Sequence, residues 1–193
     1  MSRRLFIFTL AALAARPLVA ADKAGEASPW ALLQSGGYVV FMRHAVTDPG
    51  VGDPPNFRLG ACGTQRNLSA LGRADAARIG QAFRDRRIAL QEVLSSRWCR
   101  CLDTAQLAFG RATPAPMLDS VFNQRDGADE DKARAVLARA ASHRGPGNLV
   151  LVTHAQNISL LTGVSPASGE MVITTLEAPD RFKVVGRLQV PGT

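Results

Sequence analysis

The sequence predicts an α/β fold: a mostly parallel sheet with helices on both faces and an antiparallel hairpin at one edge. Three observations carry this. Short, continuous apolar runs recur along the chain, as in strands covered on both faces. Stretches with helical periodicity lie between them, and strands alternating with helices imply a parallel sheet. Near the end, two β-rich runs meet across a tight "PD" turn.

The elements follow in order. "GYVVFMR" (Gly37 to Arg43), "EVLSS" (Glu92 to Ser96) and "NLVLVTH" (Asn148 to His154) are the strongest strands, and "TPAPML" holds a further short one. "SALGRADAARIGQAF" reads as a helix with Ser69 as N-cap and Ala76, Ile79 and Phe83 on one face. "RCLDTAQLAF" and "DKARAVLARAASH" are two more helices. "EMVITTLEA" and "RFKVVGRLQV" form the hairpin.

Residues 1–21 read as an export signal. "MSRR" is basic, "LFIFTLAALAA" is an apolar run too short to span a bilayer, and "PLVAAD" offers cleavage after Ala20 or Ala21. "SRRLFI" also fits a twin-arginine signal, which leaves the export route open. Residues 22–36 are expected to form an N-terminal tether with a little helix, and 37–193 a single domain. An exported, bacterial, periplasmic protein is the expectation. The formal charge of +7 becomes +4 once Arg3, Arg4 and Arg16 are removed. The charge resides in twenty arginines and three lysines spread along the chain. That spread argues against a nucleic-acid arm or a membrane patch and suits an anionic ligand. Cys62, Cys99 and Cys101 lack zinc-site spacing. In an oxidising compartment Cys62 is expected to pair with Cys99 or Cys101; three buried thiols are the alternative.

In such sheets ligands bind beyond the carboxyl ends of the strands. The first strand ends at Arg43-His44, the second leads to Arg100, and the third ends at Thr153-His154. Two histidines and two arginines thereby converge on one sheet edge. His143 reads as a helix-end residue.

"FMRHA", "RNLSALGRADA", "SSRWCRCLDTA" and "LVLVTHAQN" resemble, in that order, four segments of the histidine phosphatase superfamily, which includes the phosphoglycerate mutases. The match spans Tyr38 to Val164. The resemblance implies a phosphoglycerate mutase-like fold with His44 as the nucleophile that becomes phosphorylated. Arg43, Arg100 and His154 complete the phosphate pocket, and Arg97 competes with Arg100 for its place. Thr47, in the loop after His44, is a candidate phosphate donor or a turn residue. The chain departs from the family at Ala45, where a glycine is usual. It departs again at Ala155, where one branch carries its acid. Asp119 is the preferred proton donor, with Asp48, Asp53 and Asp126 as alternatives.

The expected activity is hydrolysis of phosphomonoesters without a metal or cofactor. The substrate is a phosphorylated small molecule or envelope component. A monomer is expected, with no stable membrane span. The alternative is a periplasmic protein of the same fold that binds a phosphoanion without turning it over. A metal-binding protein using His44, His154 and the cysteines fits poorly, because the spacings are wrong.

Overall fold

The computed structural model describes residues 27–122 and 128–192. The expected signal, residues 1–21, and the alternative acid Asp126 lie outside them. Six strands form one sheet: β1 (Val39–Arg43), β2 (Leu90–Ser95), β3 (Thr113–Pro114), β4 (Asn148–Thr153), β5 (Met171–Ala178) and β6 (Arg181–Leu188), in the order β3-β2-β4-β1-β5-β6. The first four are mutually parallel; β5 runs antiparallel to β1, and β6 to β5. The predicted class and the edge hairpin are thus present.

Alternation along β1 shows why its sequence is uniformly apolar. Val40 and Met42 enter one core with Ile79, Phe83, Val150 and Val152. Val39 and Phe41 enter the other with Leu118, Val136, Leu149 and Ile158. Successive side chains of a strand point to opposite faces, so a strand covered twice needs no polar positions. The first core lies under α1 (Pro29–Ser35), α2 (Ala70–Asp85) and α3 (Cys99–Phe109); the second lies under α4 (Ala128–Ala141) and α5 (Ala155–Thr162).

Ser69 caps α2 as predicted, its hydroxyl accepting the Gly72 N–H at 3.1 Å. Gly72 also lets the helix touch the segment behind His44: a Cβ there would lie 1.9 Å from the Val46 carbonyl oxygen. The expected strand in "TPAPML" is cut to two residues and followed by a 3-10 turn, Pro116–Leu118. Pro114 and Pro116 lack the N–H a ladder needs, so the pairing with β2 spans only Thr113 and Pro114 before the Ala115 N–H closes it, donating to the Ser95 carbonyl at 2.8 Å.

The described part of the expected tether is a docked helix. Ser28 caps α1, Pro29 opens it, and Leu33 is wholly buried. Trp30 meets Phe83 edge-on at 5.7 Å, and the Leu33 carbonyl accepts from Asn148 Nδ2.

Register then fixes the site. Arg43 pairs with Thr153, and Ser95 with Val152. The ladder runs one residue further, with His44 N–H donating to Thr153 O and Ser96 N–H to Val152 O. His44, Ser96 and His154 therefore leave the sheet side by side.

Candidate active site

A cavity of about 640 Å³ opens at this edge. Its floor holds His44, His154, Arg43, Arg66 and Arg100, and among the described residues Asp53 is the one acidic residue lining it.

His44 is 5% exposed. Its Nδ1 lies 2.9 Å from the Ala45 carbonyl oxygen, which can only accept. Nδ1 therefore carries the proton, and Nε2 keeps its lone pair. Burial lowers the His44 pKa to about 3; Arg100, Arg43 and Arg66 push the same way, while the Ala45 carbonyl opposes them. The ring is neutral, with its lone pair at one defined atom, as nucleophilic attack requires. Ala45 suits this position: it is fully buried, and its N–H donates to Thr104 Oγ1 at 3.0 Å. Thr104 in turn donates to the Arg100 carbonyl, tying the turn after His44 to α3.

His154 stands 5.5 Å from His44, centroid to centroid, and 5.5 Å from Trp98. Its Nε2 shares a hydrogen bond with Ser96 Oγ at 2.9 Å. Burial, then His44 and Arg100, hold its pKa well below the ordinary value.

Arg43 Nη1 donates to the Pro166 carbonyl. Arg100 is buried and forks around Asp53, Nη1 to Oδ1 at 2.8 Å and Nη2 to Oδ2 at 3.2 Å. The buried Nε atoms of Arg43 and Arg100 have no partner among the described residues, and a phosphoryl oxygen would supply one. Arg97, the competitor for this role, points away: it pairs with Asp119, and its side chain is 45% exposed.

Two expected residues lie elsewhere. Asp119 does not line the cavity. It is 3% exposed, and its oxygens accept from the Arg97 backbone N–H and guanidinium. The neighbouring Ser120 faces the cavity instead. A carboxylate so engaged braces the β2–α3 turn, with Ser96 Oγ 3.4 Å from its Oδ1. Thr47 also lies outside; its hydroxyl accepts from Arg66 Nη1 and so positions that arginine.

Arg66 is the site residue the sequence reading left without a role, although it opens the recognised "RNLS" segment. Its Nε donates to Gly52 O, and its backbone N–H to Asp53. Cys62 pairs with Cys99, one of the two expected partners, and holds the segment before Arg66 against the start of α3. Cys101 is a free, buried thiol 3.6 Å from His154 Nε2. Burial pushes its pKa up to about 12, so it remains protonated and inert. Among the described residues no cluster of His, Cys, Asp or Glu is placed to hold a metal ion.

Fold and site together define an α/β protein that presents a neutral histidine and three guanidiniums to an anion. The family model of the histidine phosphatase superfamily (branch 1) matches residues 39–126 of the chain. No curated protein matches its sequence. Solved structures resemble it in fold. The protein histidine phosphatase SixA complexed with tungstate is 14% identical over 78% of this chain and 96% of its own, with a TM-score of 0.53. The mycobacterial glucosyl-3-phosphoglycerate phosphatase in complex with VO3 is 17% identical over 76% and 96%, with a TM-score of 0.54. The Entamoeba histolytica phosphoserine phosphatase in complex with 3-phosphoglyceric acid is 13% identical over 79% and 97%, with a TM-score of 0.58.

Proposed function

We propose that this protein hydrolyses phosphomonoesters through a phosphohistidine on His44. The observation that carries the reading is the His44 Nδ1–Ala45 bond, which leaves Nε2 as a free nucleophile in a cavity with three arginines. Nε2 attacks phosphorus, the ester oxygen leaves, and water then cleaves the P–N bond. Two displacements replace one difficult step. Arg43, Arg66, Arg100 and His154 face the phosphoryl oxygens and stabilise the charge on them. Those guanidiniums supply the positive charge a metal ion would otherwise bring, so turnover proceeds without metal. Resemblance to phosphatases whose structures hold tungstate or VO3, oxyanions that stand in for a phosphoryl group, supports the reading.

The mouth of the cavity is apolar, lined by Val51, Pro54, Pro55, Phe57 and Phe122. Phe57 lies against Trp98 with ring centroids 5.5 Å apart. This favours a monoester whose leaving group has an apolar or ring face, from a small molecule or an envelope component. The protein acts after export, in the periplasm, a reading that rests on the sequence of residues 1–21 and agrees with the Cys62–Cys99 disulfide. Among the described residues no helix is long and apolar enough to cross a membrane.

Labelled substrate quenched without acid should yield an alkali-stable, acid-labile phosphoramidate. His44→Ala should abolish label and turnover, His154→Ala should leave weak activity, and a chelator should change nothing. Wild-type protein that binds phosphate but turns over no ester in a broad panel would be the phosphoanion-binding protein instead. That second reading draws on Asp53 already occupying the Arg100 fork.

A further inference from the structure

Asp53 is held as a phosphoryl group would be. Oδ1 accepts from the Arg66 backbone N–H at 3.0 Å and Arg100 Nη1 at 2.8 Å. Oδ2 accepts from Trp98 Nε1 at 2.9 Å and Arg100 Nη2 at 3.2 Å. Its side chain is 8% exposed, against 5% for Arg100. The Nη1–Nη2 edge of Arg100 cannot hold two anions at once, so a phosphoryl group that takes this edge, beyond what the orphaned Nε offers, moves this carboxylate aside. The backbone permits it: Gly50 and Gly52, just before Asp53, both have positive φ, where glycine turns most freely. The far side of the loop is anchored, Arg58 N–H donating to Thr64 Oγ1 and Gln65 Nε2 to the Arg58 carbonyl.

We propose that Asp53 is the proton donor to the leaving oxygen, and that the substrate arms it by displacing it from Arg100. This rests on the phosphohistidine reading above. In the resting site the four N–H donors outweigh the effect of burial and hold the carboxyl below its ordinary pKa, so it is ionised and cannot donate. Moved off those donors and set beside a phosphate, a carboxyl loses what stabilised its charge and gains a like charge as neighbour; both favour protonation. The proton comes from the monoanionic ester or from water. As the His44 Nε2 lone pair bonds to phosphorus, the P–O electron pair goes to the ester oxygen, which takes the Asp53 proton. The resulting carboxylate accepts a proton from the water that attacks phosphohistidine, and the P–N pair returns to Nε2. Asp53 then loses that proton, reclaims the fork and helps expel phosphate.

The test compares Asp53→Asn and Asp53→Ala with wild type. Inorganic phosphate should bind both variants about tenfold more tightly or better, because the competing carboxylate is gone. Turnover of an alkyl phosphate should fall by about 10²- to 10⁴-fold, while a dinitrophenyl ester stays within a few-fold. Weaker phosphate binding, or equal loss on both esters, overturns the proposal, since a residue that merely braces Arg100 would behave so. Should the variants not fold, wild-type protein decides. Phosphate titration must shift the Trp98 indole N–H resonance, assigned with Trp30→Phe, as its bond to Asp53 breaks; an unmoved resonance refutes displacement. If wild type turns over no aryl ester, the phosphohistidine reading fails, and phosphate binding with the indole shift still reports on Asp53.

Discussion

Mild acid should destabilise this protein through its active-site histidines before its carboxylates take part. His44 has its pKa lowered to about 3, through burial first and then Arg100, Arg43 and Arg66. In the unfolded chain it titrates near ~6.5. Between these values the unfolded state holds a proton that the native state lacks, so stability falls as pH falls. From pH 7 to pH 5 the loss from His44 alone is about 2 kcal/mol. His154, lowered mainly by burial, adds a loss of the same sign. Asp53 and Glu170, lowered by their hydrogen-bond partners against the effect of burial, lose stability only at more acid pH, so this window belongs to the histidines. Urea or thermal unfolding at pH 7, 6 and 5 measures it, in buffers free of phosphate, which would bind the native state and mask the loss. The His44 share corresponds to about 4–8 °C in Tm for a chain of this size. His44→Asn should remove about 2 kcal/mol of the pH dependence. If wild-type stability is flat over this range, or the variant keeps the full slope, His44 is protonated in the native protein. The nucleophile argument then fails.

Three further outcomes follow from the geometry. Cys62→Ser should cost about 4 kcal/mol on the chain-entropy estimate for a bridge across 37 residues, read as a lower denaturant midpoint that reductant reproduces in wild type. KM should rise with it, because the bridge joins the segments carrying Arg66 and Arg100. Gly72→Ala should cost at least the ~1–3 kcal/mol of ordinary overpacking, since its Cβ meets backbone at Val46, and should lower kcat by shifting the turn after His44. Asp119→Asn should cost ~1–3 kcal/mol in unfolding free energy while leaving the relative rates on good and poor leaving groups unchanged; a selective loss on poor ones would return the donor role to Asp119.

What could be read from the sequence divides along periodicity. β1, β2 and β4 were legible because strands buried on both faces carry runs such as "VVFM" with no polar break. Ser69 and the apolar face of α2 were legible for the corresponding helical reason. β3 was overestimated because β-like composition conceals what Pro114 and Pro116 remove. α5 went unassigned, being eight residues long and starting at Ala155 with no turn after β4. The docking of α1 depends on Asn148 bonding the Leu33 carbonyl across 115 positions, which no local pattern carries.

The site divides the same way, and that division bears on its chemistry. His44, Arg43 and His154 sit at strand ends, and Arg100 is the second residue of a helix. Alternation and register alone bring all four to one edge. Cys99 and Cys101 differ by two positions on α3, so they face different ways: one toward Cys62, the other toward His154. Asp119 and Asp53 both lie in aperiodic segments, where spacing says nothing about direction. One turned inward to Arg97, the other into the cavity across 47 positions to reach Arg100. Periodic elements place the groups that the proposed reaction keeps fixed, His44 as nucleophile and the arginines as cations. The proton donor we propose must leave one set of partners and reach another. A loop with glycines at positions 50 and 52 allows that movement, and a strand end held by its ladder would not. A donor as legible as the nucleophile would be as immobile, and Arg100 could not then pass from Asp53 to the substrate as we propose.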